Sequence, residues 1–358
     1  MVLVSSFGTS GAKVSVDGIS FFFQSQRAGW NAELTKNLVQ FINETKSSLD
    51  CAIYDLRDPT VLDALKNQKQ HGKKLRIAYD AGKAQSGSSM VDPKPSGTDQ
   101  AIKSAGPDSV ATPVHEIGGH LMHDKFLVRD GSSLWTGSAN FTVGGLQLQD
   151  NNCLSLDSPK IAASYEHIFQ DLLNPAHQHP THSGTVTSSQ SPSAVKIGGT
   201  SIVPYFAPSA GEGVETAIAS ALKKSKRVRV LAFLISDPGI LQALSNFRSA
   251  SSDIRGVYDK HGMSDATRGK KDLSGFWFLN DKRFVPAPSH AFNPNGEQDF
   301  MHNKVMILDD IRVITGSYNF SENAEANDEN LMIIDSPKVA QAYTAYFNAL
   351  YTKYGGKA

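Results

Sequence analysis

The sequence predicts an α/β protein made of two fused α/β/α sandwich halves related by a pseudo-twofold axis, and three observations predict it. A polar pattern occurs twice at one offset: His123, Lys125, Asp130, Gly137 and Asn140 recur in type as His302, Lys304, Asp309, Gly316 and Asn319, each pair differing by 179 (302 minus 123, and so on). One such coincidence means little, but five in register mean a duplicated unit. Runs of strand-like and helix-like residues alternate in the same order in both halves. Between them lies a stretch rich in Pro, Ser, Thr and Gly. The predicted boundaries are 1–174 for the first half, 175–200 for a flexible linker and 201–358 for the second half.

Each element follows from its residues. Trp30, Leu34, Leu38, Phe41 and Ile42 are spaced as one face of a helix over 30–46. Leu49 to Tyr54 then reads as a buried strand, Asp58-Pro59 as a helix start, and Leu75 to Asp80 as another strand. Arg227 to Ile235, Asp237-Pro238 and Ile254 to Asp259 repeat that order in the second half. Ser158-Pro159 and Ser336-Pro337 supply an N-cap and a first-turn proline for the helices that close each half.

Residues two apart on a strand share a face, so His123 projects with Lys125 and His302 with Lys304. The apolar neighbours Met122, Phe126 and Val128, and Met301, Val305 and Ile307, are then free to enter a core. Asp130 and Asp309 are turn residues that fix a hairpin rather than touch a substrate. Beyond each turn a second apolar run delivers Gly137-Ser138-Ala-Asn140-Phe141 or Gly316-Ser317-Tyr-Asn319-Phe320 beside the first strand. Each half thus offers one imidazole, one ammonium, one hydroxyl and one carboxamide.

These groups suit a phosphodiester. Such an ester is anionic, so its catalyst must neutralise the non-bridging oxygens, supply a nucleophile and protonate the leaving oxygen. Two lysines and two carboxamides suit the first task. Two histidines, with an ordinary pKa of about 6.5, can divide the others as nucleophile and acid, passing through a covalent phosphohistidine. The scheme needs no metal and no cofactor. Spacing does not say which histidine attacks.

The H-x-K-x4-D pattern with its trailing G-S-x-N-F resembles the phospholipase D superfamily, and through the repeat the resemblance runs over residues 20–355. Asn327-Asp328-Glu329-Asn330 looks like that family's downstream acidic signature, whereas the first half reads Asp150-Asn151-Asn152 there. The resemblance implies that His123 is the nucleophile and His302 the acid and base. It further implies that Glu329 orients the imidazole of His123 across the interface, and Asn151 would take the matching place near His302 as a neutral partner.

Composition bounds the partners. Lys plus Arg equals Asp plus Glu at 35 each, so no global field attracts polyanions. No apolar stretch reaches membrane-spanning length and the N-terminus lacks a signal-like pattern, so the expectation is a soluble, cytoplasmic monomer, with secretion of a processed form left open. Cys51 and Cys153 fall in apolar strand patterns and read as buried thiols. His177, His179 and His182 in the connecting stretch lack the company of a metal site. His115-Glu116-Ile-Gly-Gly-His120 has its histidines five apart on a glycine-weakened segment, and reads as a rim of the site rather than a zinc helix.

Arg268, Lys270, Trp277 and Arg283 interleave cations with aromatics and are candidate substrate contacts, against the plainer reading of a loop tucked over the core. Three functions follow: hydrolysis of a phospholipid headgroup ester to phosphatidate, which is narrowly preferred; cleavage of DNA or RNA backbones; or non-catalytic binding of phosphates. The Gly-Ser of both motifs departs from the Gly-Gly of many secreted phospholipases D. The fusion of two units in one chain resembles lipid-acting members more than the single-unit nucleases.

Overall fold

The computed structural model describes residues 9–83, 97–116, 121–174, 193–208, 213–291, 293 and 296–357. His120, His177, His179 and His182 lie outside them, as do the side chains of His115 and Glu116. Two mixed sheets form, one in each half. The first has the spatial order β1 (Lys13–Val16), β2 (Ile19–Gln24), β8 (Asn151–Asp157), β7 (Ser133–Gly137), β6 (Lys125–Arg129), β3 (Ser48–Ile53), β4 (Lys74–Lys83), β5 (Ala111–Glu116). The second has the order β13 (Phe284–Ala287), β12 (Asp253–Asp259), β11 (Arg227–Ala232), β14 (Lys304–Leu308), β15 (Arg312–Gly316), β16 (Glu329–Asp335), β10 (Thr200–Ala207), β9 (Val195–Ile197). In both sheets the motif strand, β6 or β14, sits between two antiparallel neighbours, with a parallel pair beside it. The repeat in the sequence is a repeat of topology.

Helices α1 (Leu34–Asn43), α2 (Pro59–Gln70) and α3 (Thr98–Ala105) cover the outer face of the first sheet. Helix α4 (Pro159–Leu172) lies on its inner face. Helices α5 (Val214–Lys224), α6 (Pro238–Leu244) and α7 (Lys260–Thr267) cover the outer face of the second sheet, and α8 (Pro337–Lys353) lies on its inner face. The inner faces of both sheets share one hydrophobic core. Phe126, Tyr165 and Phe169 of the first half and Val305, Tyr343 and Phe347 of the second belong to it. Aromatic contacts cross the seam, including Phe21 with Tyr343 at 5.8 Å and Tyr165 with Phe206 at 4.9 Å. A shared apolar core removes the freedom of one half to move against the other.

The caps behave as the sequence predicts. Asp58 accepts from Thr60 N at 2.9 Å and Asp237 from Ile240 N at 2.8 Å, each ahead of a first-turn proline. Helix α1 is shorter than its apolar spacing suggests. Trp30 pairs its backbone with Ser25 and packs its ring on Tyr346, so the helix starts only after Glu33, whose φ is +51°. The end of the 175–200 stretch is also structured: Val195–Ile197 pair with β10 across Gly198-Gly199, a two-residue hairpin signal.

Asp130 and Asp309 sit in tight turns with φ of +53° and +54°. Asp130 accepts from the backbone N–H groups of Lys46, Ser47 and Ser48 at 3.0, 2.7 and 3.0 Å, tying the motif hairpin to the entry of β3. These amide donors outweigh partial burial and hold its carboxyl down to about 2. Asp309 takes the N–H groups of Lys226 and Arg227 in the same way. Asp130→Ala is therefore expected to cost about 0.5–2 kcal/mol in denaturant melts, the range for losing a side chain that caps backbone N–H groups, while leaving kcat within a few fold.

Candidate active site

The motif strands of the two halves meet at one end of the seam. Met122 forms a parallel bridge to Asp328, and Met301 the equivalent bridge to Asp150. Through them His123 N donates to Asp328 O and His302 N to Asp150 O, both at 2.9 Å. Each histidine backbone is thus fastened to the opposite half, immediately before the residue that touches its side chain. The Nδ1 of His123 lies 2.8 Å from Oε1 of Glu329, and the Nδ1 of His302 lies 3.1 Å from Oδ1 of Asn151. Both rings keep Nε2 for other chemistry.

The lysines are fully buried and pinned. Lys125 Nζ donates to the carbonyl of His123 at 2.5 Å, and Lys304 Nζ to that of His302 at 2.6 Å. Tyr54 lies under both groups of its half, 4.7 Å from the His123 ring and 5.0 Å from the ammonium of Lys125. Phe233, 179 residues on, does the same at 5.2 Å and 5.7 Å.

The Gly-Ser-x-Asn segments close the site. A Cβ at Gly137 would stand 2.4 Å from the carbonyl oxygen of Asn152, and one at Gly316 would stand 2.3 Å from that of Asn330, so only glycine permits these approaches. Ser138 Oγ accepts from Asn152 N at 3.0 Å, and Ser317 Oγ from Asn330 N at 2.9 Å. The two serines thereby hold the strand starts that carry Asn151 and Glu329. Asn140 and Asn319 each bury an Oδ1 that has no protein partner among the described residues. Their unspent hydrogen-bonding capacity faces the cost of burial until another group supplies it.

Burial dominates the electrostatics. It lowers both histidines well below their ordinary range, and Lys125 and Lys304 lower them further. Lys125 is pushed down to about 8 by burial, against the pull of Glu329, and Lys304 falls with it. Burial raises Glu329 to about 8, although both lysines oppose the shift. Burial makes the site resist charge, and an entering anion would restore it to the lysines. Among the described residues no cluster of His, Cys, Asp and Glu could hold a metal, and no helix is long and apolar enough to cross a membrane.

Sequence reasoning brought to this site His123, Lys125, Ser138, Asn140, Asn151, His302, Lys304, Ser317, Asn319 and Glu329. It missed Tyr54, Phe233 and the buried carboxylates Asp80 and Asp259, which accept from Met122 N and Met301 N at 2.8 and 2.9 Å. All four obey the 179 offset, the signal that could have found them. The aromatic loop goes elsewhere. β13 runs parallel to β12 with Asp259 beside Ala287, so Phe284 and the residues before it lie at the end of the sheet away from the site. Arg283 is consumed by Asp281 and by the carbonyls of Phe247, Ser249 and Ser252. Its guanidinium lies 5.5 Å from the Trp277 ring, whose edge meets Phe278 and Phe284. Arg268 pairs with Asp265, and Lys270 lies over Phe276 at 5.9 Å. This is the loop tucked over the outer core: Arg283 serves the fold, while Arg268 and Lys270 stand exposed at its surface.

The family model described as "Cardiolipin synthase, PLD-like domain" matches residues 38–173 and again 216–351. The chain belongs to the phospholipase D-like family. It is similar to a phospholipase D of Rickettsia conorii, 29% identical over 140 residues, 38% of this chain and 63% of the relative. A phospholipase D of Rickettsia prowazekii is 28% identical over 163 residues, 45% and 74% of the two chains. A mitochondrial cardiolipin hydrolase of Xenopus laevis is 28% identical over 142 residues, 40% and 61% of the two. The matches thus span less than two thirds of the R. conorii and X. laevis proteins. In fold the chain resembles the crystal structure of phosphatidylserine synthase from Haemophilus influenzae Rd KW20, with a TM-score of 0.68 at 15% identity over 94% of this chain and 87% of that one.

Proposed function

We propose that this phospholipase D-like protein hydrolyses a phosphodiester through a phosphohistidine, with a phospholipid headgroup ester as substrate. The observation that carries the reading is the reciprocal tether: each imidazole is held at Nδ1 by a side chain of the opposite half, beside two buried ammonium groups. Nε2 of His123 attacks phosphorus. The leaving oxygen takes a proton from Nε2 of His302, and Lys125, Lys304, Asn140 and Asn319 receive the non-bridging oxygens. Water then gives its proton to His302 and displaces His123. One chain carries both halves of the site, so a monomer suffices.

Two facts support a lipid over a nucleic acid. The relatives include proteins named for phospholipase and cardiolipin hydrolysis. The aromatic loop, which base stacking would need, is spent on packing, and the net charge of zero gives no general pull on polyanions. The experiment is one panel in EDTA: bis(p-nitrophenyl) phosphate, phosphatidylcholine and cardiolipin vesicles, and single-stranded DNA. Release of headgroup with intact DNA supports the reading, whereas DNA cleavage with intact vesicles replaces the lipid by a polynucleotide. No turnover of any substrate overturns the hydrolase.

Inorganic phosphate should compete for the site, with a pH dependence set by the lysines. Lys125, held down to about 8, is charged below that pH and neutral above it. Phosphate inhibition is therefore expected to weaken as pH rises from 7 to 9, although phosphate itself gains negative charge over that range. Inhibition constants measured across it check the sign.

A further inference from the structure

The two tethers are chemically unequal. Glu329 is an acid and Asn151 is an amide, and the orientation of that amide is fixed. Asn151 Nδ2 donates to the carbonyl of Gly145 at 2.8 Å and to Oε1 of Gln149 at 3.2 Å. A carbonyl only accepts, so the oxygen of Asn151 must be the atom turned toward His302, and there it also accepts from Ser138 Oγ at 2.7 Å. An amide oxygen paired with Nδ1 demands a proton on Nδ1. His302 is thus aimed like His123, yet its partner can never ionise to meet an imidazolium, as Glu329 can.

The remaining groups facing His302 do not supply that charge. Lys304 on its own strand and Lys125 and His123 of the first half disfavour an added positive charge, and only the Ser138 backbone favours one. Phe233 covers one side of the ring. Glu329 meets His123, not His302, through Oε1.

Resting on the reading of this site as a phosphodiesterase, we infer that Asn151 is a positioning residue that makes His302 a strong acid and a weak base, so that breakdown of the phosphohistidine limits turnover. In the first step His302 acts as the imidazolium, its Nε2 proton taken up together with the anionic ester; the Nε2 lone pair of His123 forms the P–N bond, the P–O bond to the leaving group breaks, and that oxygen takes the Nε2 proton of His302. In the second step the oxygen of water forms a P–O bond, its proton passes to Nε2 of His302, and the P–N electron pair returns to His123. An imidazolium without a counter-charge releases its proton readily in the first step, and the neutral ring left behind accepts one poorly in the second. The phosphorylated state accumulates between them.

The test follows p-nitrophenol release from bis(p-nitrophenyl) phosphate on mixing, together with the titration of His302 by NMR in protein labelled at histidine nitrogen. Wild type is expected to show a burst close to one product per site, then a slower steady rate. Asn151→Asp supplies the missing carboxylate. It should raise the titration midpoint of His302 by about 1–3 pH units, the usual effect of an adjacent opposite charge, speed the steady rate and shrink the burst. Glu329→Gln, which makes both tethers amides, should instead slow the burst phase more than the steady rate. A wild-type time course with no burst overturns the inference, as does an Asn151→Asp protein whose His302 titrates where wild type does. If the ester is not turned over at all, the hydrolase reading falls, while the NMR titration still decides whether Asn151 sets the basicity of His302. If Asn151→Asp does not fold, the wild-type burst and the Glu329→Gln time course decide.

Discussion

His123→Ala is expected to lower turnover of every phosphodiester substrate by roughly 10⁴-fold or more, the scale for removing a nucleophile from a cooperative constellation. The ring is 5% exposed and its Nδ1 is committed to Glu329, which leaves Nε2 as the atom able to bond phosphorus. The companion variant gives the contrast. His302→Ala removes the proposed acid, but p-nitrophenolate departs without a proton. With the chromogenic ester this variant should complete the first step, stall at the second, and retain phosphorus on His123 after acid-free denaturation and digestion. With a phospholipid, whose alkoxide needs the proton, both steps should fail. Equal behaviour of the two variants on the chromogenic ester would mean that the rings do not divide the work as proposed. Full turnover by purified His123→Ala would remove the covalent route altogether.

How much of this was legible beforehand differs by residue. The 179-residue offset carried the doubled fold and placed both His-Lys pairs, because a strand's two-residue period turns His123 and Lys125 to one face whatever surrounds them. Glu329 and Asn151 were legible only through family resemblance, since their contacts join residues 206 and 151 positions apart. Tyr54 and Phe233 were readable in principle, but an aromatic within an apolar run looks like core until a second element is known to meet it. The aromatic loop failed for the opposite reason. Composition shows that Arg283 and Trp277 are near each other and hides that Asp281 and four backbone carbonyls already satisfy the guanidinium. The α1 start was misplaced because Trp30 satisfies a helical period while its backbone is paired with Ser25.

Lys125→Met should cost at least about 10²-fold in kcat, the scale for losing one preorganised oxyanion partner, without lowering the melting midpoint near pH 7. The two halves of that prediction share one cause. Lys125 has no exposed surface, and burial drives its ammonium down to about 8 from an ordinary 10.5. A depressed lysine value means that the folded state disfavours the charge relative to the unfolded chain. That penalty is present in full below about pH 8 and fades as pH rises toward 10.5, where both states are neutral. Methionine keeps the length and apolar body of the side chain and removes the charge, so it relieves the penalty at pH 7. It also forfeits the bond to the His123 carbonyl, which offsets part of the relief. Any gain in midpoint should therefore be larger at pH 7 than at pH 10. A side chain kept for packing or for its hydrogen bond alone gives the reverse: a lower midpoint at both pH values and a loss of activity no greater than the loss of folded protein. A charged group that the fold would be no less stable without fits the proposed role of meeting an anion, and Lys304→Met, at the equivalent position of the second half, should repeat the result.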